Sequence, residues 1–223
     1  IEAENVCYGD TTLFTVDSSE TFNSILWDFG DTNTSTDSNP MHVYSAPGTY
    51  SVTATLTTDT EIKTFNTSVT IYEVPIANQA NNINVCDDNN DGFFSLDLSL
   101  FADAQILGIQ DATTFSIRYF ESLDDANNDV NEVTTPYLNS NNPQEIFARI
   151  ENTDHNECYD TTSFFITVYN TPIANNVEDV EVCDNNLDGN DSNGQITTNL
   201  LDINTLVLGN QNATDYTITY HSS

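Results

Sequence analysis

The chain repeats itself, and that repeat limits the possible folds more than any other feature. Residues 74–86 read VPIANQANNINVC, and residues 171–183 read TPIANNVEDVEVC, 97 residues later. Each is followed by an Asp/Asn-rich stretch ending in Asp-Gly, CDDNNDG at 86–92 and CDNNLDG at 183–189. ATTFSIRYFES at 112–122 returns as ATDYTITYHSS at 213–223, now 101 residues on, which places a small insertion within NDSNG at 190–194. Self-similarity at a fixed offset marks a structural unit used more than once. The chain therefore divides into residues 1–73, a complete unit at 74–170, and the first half of a second copy at 171–223. A start at Ile1, with Met41 the only methionine, reads as an internal piece of a longer protein.

Within the complete copy the dominant period is two. Phe94, Leu96 and Leu98 alternate, as do Phe115, Ile117 and Tyr119, then Ile146, Ala148 and Ile150, then Phe164, Ile166 and Val168. That alternation predicts half-buried strands. One stretch has helical spacing instead. Leu100, Ala104 and Leu107, with Ser99 as N-cap and Gly108 past the end, predict a short helix, repeated at Leu200–Leu208 before Gly209. Tyr216–Tyr220 reads as a further strand. In residues 1–73, Leu13, Ile25, Trp27, Phe29, Tyr50, Val52, Ala54, Leu56, Val69 and Ile71 fit short strands separated by polar turns. The junctions Val74-Pro75 and Thr171-Pro172 carry no Gly/Ser tract and read as short, stiff joints.

Charge then excludes partners. The chain has 35 acidic residues and three basic ones, Lys63, Arg118 and Arg149, for a net charge of -32. Such a field repels phosphate backbones and anionic bilayers, so neither nucleic acid nor membrane insertion is expected. No run approaches the roughly 18 apolar residues of a membrane span. Disorder is also excluded, because aromatics make up 10% and recur in alternating runs.

WDFGDTNTSTDSNPMHVYSAPGTYSV at 27–52 resembles the polycystic-kidney-disease (PKD) domain, an immunoglobulin-like module. The match runs through Trp27-Asp28-Phe29-Gly30-Asp31, Pro40, His42, Tyr44, Pro47-Gly48, Tyr50 and Val52. It departs at Thr32, where the family usually has glycine, and the stretch DSSETFNSI at 17–25 lacks the calcium loop of some members. The 97-residue units, with CDDNNDG near the start and ECYDTT near the end, are similar to the tandem modules of very large surface adhesins exported by type IX secretion in gliding bacteria. Together the resemblances imply an all-β chain of tandem immunoglobulin-like β-sandwich modules in an elongated array, with one short helix per repeat. They also imply an extracellular, cell-surface and non-enzymatic role.

Two kinds of site are expected. Asp87, Asn89, Asp91 and Gly92 follow D-x-[DN]-x-[DN]-G, the first half of an EF-hand-type calcium loop, and Asp184, Asn186, Asp188 and Gly189 repeat it. Leu98 stands where the bidentate Glu belongs; Asp88 and Asp97 are further candidate ligands. The competing reading is an exposed Asn/Asp turn. Charge favours calcium: two carboxylates about 6 Å apart repel by roughly 0.7 kcal/mol in water and about 3 kcal/mol at an effective dielectric near 20. The second expected site is a disulfide. Cys86 opens the complete unit and Cys158 closes it, which pairs them. A loop of that length is worth roughly 4 kcal/mol by chain entropy. Cys183 then wants a partner beyond Ser223, and Cys7, in a CYGDTT that echoes CYDTT at 158–162, one upstream or none.

Nothing catalytic converges. No nucleophile elbow, phosphate loop or Cys/His arrangement occurs, and carboxylates are too plentiful to mark acid/base chemistry. His42 reads as a packing residue within the PKD pattern, and His155 as part of a polar loop. Tyr8, Tyr72 and Tyr137 could offer a sugar platform but are more simply strand residues. The reading favoured is a monomeric, calcium- and disulfide-stabilised spacer of a secreted adhesin that meets a surface polysaccharide or another cell through the full-length protein. The alternative is a carbohydrate-binding accessory region of a secreted polysaccharide-degrading enzyme.

Overall fold

The computed structural model describes residues 1–18, 21–186, 189–190 and 192–222. Residues 1–85 with 92–169 form one compact body, and residues 86–91 with those from 170 onward form another.

The first body opens with a seven-stranded sandwich. Strands β1 (Glu2–Glu4), β2 (Thr12–Thr15) and β5 (Met41–His42) make one sheet in the order β1-β2-β5. Strands β3 (Ser24–Asp28), β4 (Thr34–Ser35), β6 (Gly48–Thr57) and β7 (Ile62–Ile71) make the other, β4-β3-β6-β7. In β6, Val52, Ala54 and Leu56 are buried while their neighbours face outward, the alternation that a one-sided sheet requires. Trp27 pairs with Ala54 across the sheet. The core is aromatic: Phe14, Trp27, Phe29 and Tyr44 are almost wholly enclosed, with Phe14 at 5.8 Å from Trp27 and 5.1 Å from Phe29. The inward residue of β2 is therefore Phe14 and not the expected Leu13, which is only half-buried.

The Trp-Asp-Phe-Gly-Asp motif owes each residue to a different constraint. Trp27 and Phe29 fill the core, and Trp27 Nε1 donates to Asp37 O at 3.1 Å. Asp28 accepts from Gly30 N at 2.9 Å, closing an Asx turn. Gly30 has φ +79°, and a Cβ there would lie 2.6 Å from the Ser51 carbonyl oxygen, so both backbone sign and space demand glycine. Asp31 takes His42 Nε2 at 2.7 Å, and the His42 ring stacks on Phe29 at 4.2 Å. Burial would raise the Asp31 carboxyl, but hydrogen bonds from His42 and Asn33 outweigh it and hold it below its ordinary value. Thr32 sits at φ +77° with its side chain exposed. A β-branched residue there stores about 1–3 kcal/mol of strain. Glycine would cost about 0.5–1 kcal/mol of unfolded-chain entropy. Thr32→Gly is therefore expected to raise stability by about 1 kcal/mol, read as a higher urea midpoint; a lower midpoint refutes the strain argument.

The next module begins with β8 (Ile83–Asp87), β9 (Ser95–Leu96) and α1 (Leu98–Leu107), then β10 (Phe115–Phe120), α2 (Leu123–Asn128), β11 (Tyr137–Leu138), β12 (Gln144–Asn152) and β13 (His155–Asn170). One sheet runs β10-β12-β13-β8, and β9 pairs with β11 in a small second sheet. Its core holds Leu98, Ile106, Phe115, Tyr119, Ile146, Ala148, Ile150, Phe164 and Ile166. The helix lies where expected, but its details differ. Asp97, not Ser99, is the N-cap, accepting from Ser99 N at 3.1 Å. The buried face is Leu98, Ala102 and Ile106, while Leu100 is 82% exposed. The sequence LSLFADAQIL is apolar on several sides, so spacing alone could not choose the face. A second helix, α2, was not expected at all.

The recurring Pro-Ile-Ala-Asn motif clasps the helix end. Asn78 donates from its backbone and side chain to Ile106 O (3.2 and 2.9 Å), and Gln110 bonds both polar groups of Ile76 at 2.8 Å. The second body repeats this clasp. Asn175 donates twice to Val207 O at 3.0 Å, and Gln211 holds Ile173. It contains a 3-10 turn, Leu200–Ile203, and α3 (Asn204–Leu208), with Gly209 at φ +59° where Gly108 has +61°. Tyr216–Tyr220 is not a strand: among the described residues from 171 onward, no counterpart of β12 and β13 is present to complete its ladder.

Candidate functional site

The site is the seam between the two modules of the first body, built on the end of the β12–β13 hairpin. Asn152 pairs with His155 across a two-residue turn, and Asp154 N donates to Asn152 Oδ1 at 3.0 Å. This hairpin end presents three side chains to the N-terminal sandwich. Asn152 Nδ2 donates to Glu73 O at 3.0 Å. His155 stacks on Tyr72, with ring centroids 4.7 Å apart and planes at 12°. Cys158 is bonded to Cys7 across 151 residues of sequence, with Cα atoms 5.4 Å apart. Cys7 is itself held to the end of β7, bridging Tyr72 in parallel, with Tyr8 N on Tyr72 O and Tyr72 N on Val6 O, both at 2.8 Å. Both cysteines are buried, at 8% and 1% exposure.

The expected Cys86–Cys158 bond is therefore wrong, and Cys86 and Cys183 are free and exposed. The reason lies in how the chain runs beside β13. Ala77 N bonds Asp160 Oδ2, Gln79 Nε2 bonds Ser163 O, and Asn82 Oδ1 takes Phe165 N. The segment after the junction travels along β13 away from Cys158, so the level of Cys158 is passed before Cys86 is reached. His155 is likewise no loop residue but a ring packed against the neighbouring module.

Above the seam, two of the three cations meet one buried carboxylate: Arg149 is buried and Arg118 half-buried. Glu151 takes Arg149 Nε at 2.7 Å and Arg118 at 2.8 Å. Arg149, 3% exposed, also donates to the last carbonyls of α2, Ala126 O at 2.8 Å and Asn127 O at 3.2 Å, and to Asn156 O. Its guanidinium lies 3.6 Å over the Tyr159 ring, one residue from the disulfide. Arg118 also reaches Asp129, the left-handed cap of α2. Burial would lower the Arg118 guanidinium, but Asp129 and Glu151 outweigh it and push it up, so it stays charged. This cluster explains why alternation fails in β12, where both faces are buried from Ala148 onward. The signal for it was a Ser-x-x-Asp capping box at Ser122–Asp125, with Ser122 Oγ on Asp125 Oδ2 at 2.6 Å.

The acidic loops lie elsewhere, in the second body. Asp87 accepts from Asn89 N at 3.1 Å, Asn89 from Asp91 N at 3.1 Å, and Asn89 Nδ2 donates to Asp91 at 2.8 Å. Asn90 and Thr171 exchange side-chain and backbone bonds at 2.7 and 3.2 Å. The alternate side chains thus shape the turn. Among the described residues, Asp87, Asp88 and Asp91 do not form a set of three ligands within 4.8 Å of one another. In the second loop Asp184 accepts from Gly194 N at 2.8 Å, and its other oxygen is enclosed without a hydrogen-bond partner among the described residues. Asn186 accepts from Gly189 N through its backbone carbonyl at 3.2 Å, and Asp188 lies outside the described residues. Asp97 caps α1, its Oδ1 accepting from Ser99 N at 3.1 Å and from Ser99 Oγ at 2.7 Å. Of the tyrosines, Tyr72 is covered by His155 and Tyr137 is buried. No helix among the described residues is long and apolar enough to cross a membrane.

Two family models match. Residues 1–72 match the PKD domain, and residues 81–172 match the Flavobacterium inter-domain disulphide bond domain. The N-terminal sandwich is thus a PKD domain. The Cys7–Cys158 bond joins the two matched segments, a link of the kind that the second description names. No curated protein matches the chain. Among solved structures, the PKD1 domain of the Vibrio cholerae metalloprotease PrtV is 31% identical, over 31% of this chain and 89% of its own, with a TM-score of 0.28. The PKD1 domain of Vibrio anguillarum Epp is 26% identical, over 33% and 89%, at 0.29. A carbohydrate-binding module of the β-sandwich superfamily is 15% identical, over 66% and 51%, at 0.29.

Proposed function

We propose that this chain is a non-enzymatic spacer of a secreted cell-surface adhesin, in which the PKD domain and the following module work as one mechanical unit. The observation that carries this reading is the disulfide across the module seam. Pulling on the chain ends loads the covalent bond, while everything between Cys7 and Cys158 is shielded. The early restart of the repeat supports a serial role, and the surface charge supports it too. With Arg149 buried and Arg118 half-buried against Asp129, the charged exterior is nearly all carboxylate, which keeps neighbouring stalks apart.

Single-molecule pulling tests this. The 151-residue separation hides roughly 540 Å of chain at about 3.6 Å per residue. The total extension is expected to lengthen by about that amount when a reductant is added. Equal extensions with and without reductant would sink the proposal.

Calcium at Asp87, Asn89 and Asp91 and at Asp184, Asn186 and Asp188 is part of the same proposal. The donor-less oxygen of Asp184 supports it in the second loop; in the first, the carboxylates would have to draw together. Extracellular modules bind calcium with dissociation constants near 10⁻⁴–10⁻³ M. A hundredfold excess then adds about 2.7 kcal/mol. The second body is expected to melt higher in calcium than in chelator, and identical melting curves would remove calcium from the account.

A further inference from the structure

One group of residues on the seam has a chemistry the spacer role leaves unused. The ligand atoms of Cys7, His155 and Cys158 all lie within 4.8 Å of one another, the one group of three Cys, His or carboxylate side chains so placed among the described residues. In the oxidised chain the two sulfurs are bonded to each other and cannot act as thiolates. In the thiol form, in which any chain is synthesised, they become two soft anionic donors beside an imidazole. We infer that the thiol form of the seam binds one zinc-class divalent cation through Cys7, Cys158 and His155, so that this junction has two mutually exclusive clamps, a metal and a disulfide.

Donor type and placement carry the argument. Two thiolates and an imidazole are a three-ligand zinc set that leaves the fourth position to solvent. Around tetrahedral zinc, neighbouring donor atoms lie roughly 3.3–3.8 Å apart. The imidazole, within 4.8 Å of both sulfurs, closes in by about 1 Å, and the sulfurs, about 2 Å apart in any disulfide, separate by about 1.7 Å once reduced. The three donors are also held without the sulfur–sulfur bond. Cys7 is fixed by its bridge to Tyr72, His155 by stacking on the same Tyr72, and the hairpin end by Asn152 on Glu73. Glu157 Oε2, 3.6 Å from His155 Nε2, adds negative charge at the rim. The exchange between clamps balances. A small-molecule disulfide takes two electrons from the two thiolates and departs as two thiolates; the Cys7–Cys158 bond forms and the cation is released.

The test uses the full chain carrying Cys86→Ser and Cys183→Ser, which removes the exposed thiols, reduced under anaerobic conditions and titrated with cobalt(II). One equivalent is expected to produce thiolate-to-cobalt charge-transfer absorption and the intense visible bands of a tetrahedral ion. Oxidised glutathione should bleach both, with one disulfide formed per ion released. His155→Gln, its fold checked by circular dichroism, should bind at least about tenfold more weakly. Cys158→Ser should lose most of the charge-transfer band. A reduced chain without that band overturns the inference, as does unchanged affinity in His155→Gln.

Discussion

Replacing Arg149 by methionine is expected to cost about 3–5 kcal/mol, the range for breaking a buried ion pair from one side. The side chain is 3% exposed and serves Glu151, Ala126, Asn127 and Asn156 together while covering Tyr159. Methionine fills much of the volume but leaves the carbonyls at the end of α2 without a donor, and leaves Glu151 to Arg118 alone. Arg149→Lys keeps the charge and loses the planar fork, so it should fall between wild type and methionine. Lys63→Met is the control: Lys63 meets Glu61 at 3.0 Å on the surface, where such pairs are worth about 0–1 kcal/mol. Denaturant unfolding reads all three. A loss below about 1 kcal/mol for Arg149→Met would mean that the cluster is not what holds α2 to β12.

Cys158→Ser should be the other large effect. Chain entropy for a 151-residue separation gives about 5 kcal/mol, and removals of native disulfides typically cost about 2–5 kcal/mol. The loss should appear as separated unfolding of the PKD domain and its neighbour, because each has its own core and only the seam contacts remain to couple them. Cys86→Ser, at an exposed free thiol, should leave stability unchanged. Equal curves for Cys158→Ser and wild type would show that the bond adds nothing in solution.

The strand content and the PKD core were legible because both follow from local rules. Val52, Ala54 and Leu56 alternate, Gly30 marks a close approach, and Pro47-Gly48 opens β6. Ambiguous local signals left other features undecided. Leu13 and Phe14 are both apolar, and only the sheet's register turns Phe14 inward. The helix α1 was found from its spacing, yet its buried face was not, since LSLFADAQIL is apolar on too many sides. For α2 the capping box Ser122–Asp125 was present but only six helical residues follow it, too few for periodicity to show.

By itself, the sequence determined what depends on neighbours along the chain: the 97-residue unit, its period-two strands, the PKD motif and a net charge of -32. The tertiary structure alone decided which distant groups meet. Repeat logic assigned Cys158 to its own module, but the β12–β13 hairpin end turns it toward Cys7 in the module before. Composition only counted Arg118 and Arg149 towards the net charge, but the fold brings both to Glu151 and buries Arg149. Both outcomes rest on contacts between residues far apart in sequence, and the free energy of such contacts depends on burial and geometry that no local pattern records.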